Sequence, residues 1–252
     1  MRNRTCADCS KGEINLLKID GLTKKYGEKL AVDNLSLHIA PGEIYGFIGH
    51  NGAGKTTTLK CAVGILPFDG GEIEINGVSV KENPLECKKM LAYIPDNPDL
   101  YEYMTGIKYL NFIADIFGID ENSRHERIEK YADAFEIKND LSKAIASYSH
   151  GMKQKLAVIA AWLHDPKLII MDEPFVGLDP KAAHTLKGMM REKCLDGGAI
   201  FFSTHVLEVA EKLCDKVAII KGGKLIRSGT VDEVKGDDTL EEAFLESEGD
   251  IC

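Results

Sequence analysis

The sequence has 252 residues, of which 44% are hydrophobic and 28% are charged. This length and composition predict a globular protein with one large α/β domain, or a core that carries an inserted lobe. The formal net charge is −9, of which residues 236–252 account for −7. A nearly neutral body with an acidic tail lacks the basic surface that nucleic-acid binding requires, so no nucleic-acid partner is expected.

No apolar run approaches the ~20 residues of a bilayer-spanning helix. Residues 1–10 lack the apolar segment of a secretory signal. The protein is therefore expected to stay in the cytosol.

The acidic side chains and the cysteines are unevenly placed. Residues 236–252 contain seven acidic side chains and no Lys or Arg, which predicts a solvated helix face in this acidic tail. The seven cysteines form no disulfide framework. Cys6 and Cys9 form one CxxC pair, but a structural zinc site needs further ligands. We interpret both as free thiols in an N-terminal extension, residues 1–13.

The first part of the chain, up to residue 94, alternates between predicted strands and helices. A hairpin turn is expected at residues 24–28, and Pro41-Gly42 forms a second turn. The predicted strands are residues 14–19, 35–39, 43–48, 70–77 (ending in an Asn-Gly turn) and 90–94, and helices begin near residues 57 and 84.

From Pro95 to about residue 165 the pattern becomes helical. Apolar residues recur at helical spacing in 107–117, 121–135 and 151–163, which predicts a helical lobe inserted into the core. The core then resumes with an apolar strand at 168–172, of the kind that parallel sheets bury on both faces. The remaining predicted elements are helices at about 180–192 and 206–213, strands at 199–203 and 217–220, and a hairpin arm at 224–227.

The strand at 43–48 runs into a glycine-rich loop of the form GxxxxGK[ST], and a helix follows. Glycines let backbone N–H groups point inward as an anion nest at a helix N-terminus. Lys55 is then expected to reach the β- and γ-phosphates, and the Thr56 hydroxyl to bind Mg²⁺. The alternative is a glycine-rich turn that happens to precede a helix. The strand–loop–helix context and the paired carboxylates described next disfavour it, so we predict a nucleoside triphosphate site. Its residues are Gly49, His50, Asn51, Gly52, Ala53, Gly54, Lys55, Thr56 and Thr57.

Two adjacent carboxylates, Asp172 and Glu173, end the apolar strand at 168–172. They are costly there unless a cation is present. We predict that Asp172 binds Mg²⁺, directly or through water, and that Glu173 polarises the attacking water. The alternative is that both are acidic turn residues before Pro174. The phosphate loop upstream favours the functional interpretation over this alternative.

The order of these motifs resembles that of ABC-type ATPases, the ATP-binding subunits of ABC transporters. The motifs are the phosphate loop, the helical lobe, Ser149-His150-Gly151, Asp172-Glu173-Pro174, Gly177-Leu178-Asp179 and Ser203-Thr204-His205. The resemblance covers residues 14–235. It implies an α/β P-loop NTPase core with an antiparallel β-subdomain and an inserted helical subdomain at about 95–165, followed by the acidic tail 236–252.

In that family two cassettes dimerise head to tail and enclose ATP between the phosphate loop of one and the signature loop of the other. Here the signature reads Tyr148-Ser149-His150-Gly151-Met152. Ser149 and Gly151 match the usual LSGGQ, while the other three depart from it in the way of the ABC-2 export class. Ser149 can also be a plain N-cap.

The resemblance also assigns roles to single residues. Tyr26 stacks on adenine beside Val32, although Tyr26 can instead cover the edge of the core. His205 contacts the γ-phosphate, and Asp179 acts across the dimer. Asp96 replaces the usual lid glutamine, and it either approaches Mg²⁺ or water or only shapes a turn.

The implied function is ATP hydrolysis, with ATP and Mg²⁺ as cofactors and Glu173, His205 and Lys55 as catalytic residues. It drives transport, in the export direction, through a separate integral-membrane permease. The partners are that permease and a second cassette, identical or paralogous. The protein would be cytoplasmic and peripheral on the inner face of the cell membrane. Aromatic residues at 100–104 could receive a coupling helix of the permease or form lobe core.

The alternative is a soluble ABC-type ATPase of DNA repair or translation. Repair proteins insert long coiled coils, whereas Asp172 follows Lys55 by only 117 residues without sustained heptads. Translation-associated proteins carry two cassettes per chain. A nucleotide-gated module without catalysis would not need Glu173.

Overall fold

The computed structural model describes residues 15–249, with side chains to residue 246. The predicted extension at residues 1–13, including Cys6 and Cys9, lies outside the described residues. Two sheets and the helices that pack on them form the described chain.

The smaller sheet is antiparallel, in the order β2-β1-β4-β5. Its strands are β1 (Leu17–Tyr26), β2 (Lys29–Ile39), β4 (Gly70–Ile75) and β5 (Val78–Ser79). The prediction of a hairpin turn over 24–28 was wrong at its start, because Lys24, Lys25 and Tyr26 still pair with β2 and only residues 27–28 turn. Pairing with β4 on the other side extends β1 beyond the short strand that its apolar run predicts.

The larger sheet has the order β10-β9-β3-β8-β7-β6 and is parallel except for the edge strand β10. Its strands are β3 (Ile44–Ile48), β6 (Leu91–Ile94), β7 (Leu168–Asp172), β8 (Ala199–Thr204), β9 (Lys216–Lys221) and β10 (Lys224–Thr230). Strands β3, β7 and β8 are buried throughout, as their continuous apolar runs predict. Because Ile48 pairs with Thr204 and Asp172 with Ser203, the strands end together, and their carboxyl ends form one edge.

Helices cover both faces of this sheet. Four helices alternate with strands: α1 (Lys55–Ala62), α2 (Pro84–Met90), α6 (Pro180–Leu195) and α7 (Leu207–Leu213). Between β6 and β7 lie the three predicted lobe helices, α3 (Gly106–Ile116), α4 (Glu121–Ala134) and α5 (His150–Trp162). Each lobe helix begins at a residue whose side chain accepts a backbone N–H: Thr105, Asp120 and Ser149. Within residues 15–249, no helix combines the length and apolarity needed to span a bilayer.

The last two helices, α8 (Val231–Lys235) and α9 (Leu240–Gly249), pack on the end of the core beside β3 and α7. Leu240, Ala243 and Phe244 of α9 are buried, while Glu241 and Glu242 are exposed. The acidic residues therefore face solvent, and the opposite face of α9 is docked on the protein.

Candidate functional site

The glycine-rich loop connects β3 to α1 and is held tightly by its surroundings. Gly54 has a φ of 113°, and a Cβ there would lie 2.7 Å from the carbonyl oxygen of Ala31. A Cβ at Gly49 would lie 2.6 Å from the carbonyl oxygen of Ile220. Since contacts this short cannot be made, both positions require glycine. The loop curls with its backbone pressed against β2 and β9.

Lys55, the first residue of α1, points back into this loop. Its side chain is 6% exposed, and Nζ donates to the carbonyl oxygens of Gly49 at 2.5 Å and His50 at 3.3 Å. Burial lowers the pKa of Lys55, and the nearby charges of Glu173 and Asp172 oppose that shift. A buried ammonium beside a backbone nest favours the binding of an anion.

A cavity of about 360 Å³ opens over the loop. Most of the predicted nucleotide residues contribute to it, together with residues from the start of β2 and from the β9–β10 turn. It is lined by Tyr26, Lys29, Leu30, Ala31, His50, Asn51, Gly52, Gly54, Lys55, Thr56, Thr57, Asp96, Asp172, Glu173, Gly222 and Gly223.

The two carboxylates at the end of β7 are positioned by a serine from β8. Asp172 is 2% exposed, and the Ser203 hydroxyl donates to its Oδ1 at 2.5 Å. The same hydroxyl accepts the backbone N–H of Glu173 at 3.0 Å. Ser203 thereby joins both carboxylate residues, a role that the sequence did not predict. The only signal was a polar residue at the buried end of a strand.

Glu173 lies between the phosphate loop and the residue that follows β8. Its Oε2 is 3.0 Å from His205 Nδ1, and its Oε1 is 3.7 Å from Lys55 Nζ. Oε1 is buried and accepts no hydrogen bond from the described residues. Glu173 has a φ of +48°, which non-glycine residues rarely adopt. The structure thus brings the three predicted catalytic residues together, since Lys55 and Glu173 line the cavity and His205 lies against Glu173.

These residues fit a nucleoside triphosphate with Mg²⁺. The backbone cradle and the buried Lys55 suit phosphates, and the orphaned Oε1 of Glu173 can accept a proton from water. Thr56 and Asp172 both line the cavity and offer oxygen ligands. The described residues hold no cluster of three or more His, Cys, Asp or Glu side chains for a metal. The oxygen donors of Thr56 and Asp172 suit Mg²⁺, which takes few protein ligands beside substrate phosphates.

Tyr26 stands at the mouth of the cavity, 50% exposed, with Lys24 Nζ 5.4 Å from its ring centroid. The structure does not place Val32 in the lining of the cavity. Val32 is fully buried in β2, and Leu30 and Ala31 face the cavity instead. Ala53 is also nearly buried, at 7% exposed, and belongs to the loop without lining the main cavity.

The signature residues lie on a different face and do not line this cavity. Ser149 is exposed and is the N-cap of α5, where its hydroxyl accepts the N–H of Met152 at 3.3 Å. Gly151 packs on the loop after β7, since a Cβ there would lie 2.7 Å from the carbonyl oxygen of Gly177. The exposed Ser149 therefore presents its hydroxyl and the N-terminus of α5 to solvent.

Asp179 is also outside the cavity. It caps α6 by accepting the N–H of Ala182 at 2.8 Å, and its Oδ2 lies 2.7 Å from Lys155 Nζ on α5. The hydrogen bond from Lys155 holds the pKa of Asp179 below its usual value. Asp179 therefore ties the loop after β7 to the signature helix.

Asp96 is exposed in a bend between β6 and the helical lobe, and it lines the cavity beside Asp172 and Glu173. Both hypotheses for Asp96 remain predictions, since the bend exists and the carboxylate faces the site.

A second cavity of about 360 Å³ adjoins Asp96 on the lobe side. It is an apolar groove between β6 and helices α3 and α5, with Tyr93, Pro95, Leu100 and Tyr109 among its walls. Leu100 is buried, whereas Tyr101 and Tyr103 are 46% and 79% exposed. Those two tyrosines therefore lie outside the lobe core.

Comparisons with known proteins agree with this geometry. Residues 32–176 match the family model described as ABC transporter. The chain is 35% identical over 233 residues to the ABC-type transporter ATP-binding protein EcsA of Bacillus subtilis, covering 92% of this chain and 94% of that relative. It is 35% identical over 221 residues to the bacitracin transport ATP-binding protein BcrA of Bacillus licheniformis, covering 87% of this chain and 71% of BcrA.

A solved structure described as the ATP-binding subunit of an ABC transporter is also similar. Its TM-score is 0.89 at 35% sequence identity, and the match covers 92% of this chain and 99% of that one. This likeness confirms the fold class predicted from the sequence.

Proposed function

Because the chain belongs to the ABC transporter family, we propose that it hydrolyses ATP as one half of a head-to-tail dimer and drives export through a separate membrane permease. One observation carries the proposal. Lys55 and Glu173 line the cavity and His205 contacts Glu173, whereas Ser149 and Gly151, at the N-terminus of α5, lie outside that cavity.

The residues of the proposed nucleotide site have different roles. The backbone of the loop and Lys55 hold the phosphates, and Tyr26 offers its half-exposed ring to the base. Glu173 accepts a proton from the attacking water, and His205 keeps that carboxylate oriented through the 3.0 Å contact. Thr56 and Asp172 would hold Mg²⁺, which when bound neutralises charge on the phosphates.

A single chain completes only part of the nucleotide site. Ser149 and the N-terminus of α5 present a hydroxyl and free N–H groups, which suit the γ-phosphate held by a second copy or a paralogue. Asp179 lies next to this surface through its contact with Lys155. ATP would join the two halves, and hydrolysis would release them.

The permease is proposed to dock at the apolar groove beside Asp96, where exposed Tyr101 and Tyr103 flank the groove. This position would place the chain at the cytoplasmic face of the cell membrane. Export is supported by the variant signature Tyr148–Met152 and by the segment 239–246, which resemble ABC-2 exporter subunits, and by the transport of bacitracin in the name of BcrA.

Association is the first test. Glu173→Gln removes the general base and keeps the side-chain shape, so ATP and Mg²⁺ should accumulate a dimer that light scattering detects. Adding Ser149→Arg places bulk against the signature helix and should abolish the dimer. The matched control is Ser142→Arg, at an exposed serine of the same lobe, which should leave the dimer intact. An ATP-dependent dimer that survives Ser149→Arg would exclude association through the signature loop.

The permease is tested separately. The tagged chain, expressed from its native locus, should co-purify from detergent-solubilised membranes with an integral protein, and a Tyr101→Glu, Tyr103→Glu variant should lose that protein. Recovery of the chain only with ribosomes or DNA would contradict the transport proposal.

A further inference from the structure

We propose that Phe244, on the C-terminal helix α9, is a positioning residue for the phosphate loop, which it stabilises through the ring of His50. The proposal rests on the nucleotide site above and concerns the affinity of that site.

The contact is direct and has the geometry of an aromatic pair. The ring centroids of His50 and Phe244 are 5.0 Å apart, with an interplanar angle of 63°. Edge-to-face pairs prefer separations of about 4.5–7 Å. Phe244 is 7% exposed, whereas His50 is exposed and lines the cavity. A buried ring thus holds a residue that faces the ligand.

The position of His50 matters because its backbone belongs to the phosphate cradle. The carbonyl oxygen of His50 accepts the N–H of Ala53 at 3.1 Å and Lys55 Nζ at 3.3 Å. A shift of the His50 backbone therefore also affects the Lys55 ammonium, which faces the phosphates.

Helix α9 is itself anchored independently of the loop. Leu240 is fully buried, and its N–H donates to Glu211 Oε2 of α7 at 3.3 Å. Lys235 Nζ of α8 lies 3.6 Å from Oε1 of the same Glu211. Phe244 packs in one cluster with Ile48, the residue immediately before the loop. Because these contacts fix α9 on the core, Phe244 acts as a stationary support.

The expected size of the effect follows from the stabilisation that an aromatic pair contributes, which corresponds to a change of about 2–12-fold in a binding constant. We expect Phe244→Ala to raise the Kd for MgADP by about 3–10-fold, as measured by isothermal titration calorimetry on the full chain. The matched control is Leu245→Ala, at the neighbouring residue of α9 that is 60% exposed, and it should leave the Kd unchanged.

Further variants separate positioning from packing. Phe244→Leu keeps an apolar side chain under the helix, so thermal stability should stay close to wild type while the Kd remains raised. In a double-mutant cycle, His50→Ala should raise the Kd, and adding Phe244→Ala should change it little further. Independent, additive effects of the two substitutions would overturn the proposal.

MgADP is the probe because it needs only the phosphate loop of one chain. If wild type binds MgADP and Phe244→Ala binds it within twofold, or if Phe244→Leu restores the affinity, the positioning role is wrong and the nucleotide site stands. If wild type binds no MgADP, both proposals fail. If the wild-type chain binds MgADP normally but does not dimerise or support export, the proposed function alone is overturned.

Discussion

Removal of the Ser203 hydroxyl should damage both stability and catalysis. Ser203 is fully buried, donates to Asp172 Oδ1 at 2.5 Å and accepts the Glu173 N–H at 3.0 Å. In Ser203→Ala the Glu173 N–H loses its partner, and Asp172 loses a charge-assisted hydrogen bond. The cavity left by one oxygen is too small to admit a compensating water readily.

The structure sets the magnitude. A buried donor left without a partner costs about 1–3 kcal/mol, and a hydrogen bond to a charged group contributes about 1.5–3 kcal/mol. Since the two losses overlap, we expect the free energy of unfolding to fall by about 2–4 kcal/mol, which lowers Tm by roughly 5–15 °C in a chain of this size. The backbone of Glu173, at a φ of +48°, should relax, and kcat should fall about 10–100-fold because the base is displaced.

Urea unfolding and steady-state phosphate release measure the two effects. The matched control is Ser36→Ala, because the Ser36 hydroxyl also accepts a backbone N–H, from Gly21 at 2.9 Å, but does so in an exposed setting. That variant should stay within about 0.5 kcal/mol of wild type with normal turnover. A Ser203→Ala protein of wild-type stability and kcat would refute the bridging role, and so would equal losses in both variants.

Three further substitutions test other parts of the site and fold. Glu173→Gln should keep ATP affinity and lower kcat by about two orders of magnitude or more; near-normal phosphate release would remove Glu173 from the role of base. Asp96→Asn should reduce the stimulation of ATP hydrolysis by the permease while the Kd for ATP barely changes, and unaltered stimulation would leave Asp96 as a turn residue. Burial lowers the pKa of His164 below its ordinary value of 6.5. The folded chain therefore binds fewer protons than the unfolded chain, and the free energy of unfolding decreases as the pH falls below 6.5. His164→Gln should flatten this decline in urea unfolding series between about pH 7 and 5.5, and an unchanged slope would contradict that assignment.

The phosphate loop, the paired carboxylates and the lobe helices could all be predicted from the sequence, because each is encoded by neighbouring residues. The strand at 44–48, the glycines and Lys55 lie within one short stretch, and their spacing alone makes a phosphate cradle. Strands β7 and β8 are fully buried, so their unbroken apolar runs indicated a parallel sheet directly. The helical periodicity of residues 107–163 likewise needed no knowledge of what the helices contact.

The contacts between distant segments were decided only by the tertiary structure. Ser203 meets Asp172 because the parallel register of β7 and β8 places their ends side by side, 31 residues apart in the chain. Val32 shows the same limit, since the resemblance places it beside adenine, whereas the assembled fold buries its side chain in β2.

The acidic tail is the clearest case. Its charge pattern indicated a solvated face, and Glu241 and Glu242 are exposed accordingly. The pattern could not show that Phe244 reaches His50, because that contact joins α9 to a loop 194 residues earlier in the chain. Local propensity and periodicity are properties of adjacent residues, whereas such a contact exists only after the sheet and its flanking helices have assembled.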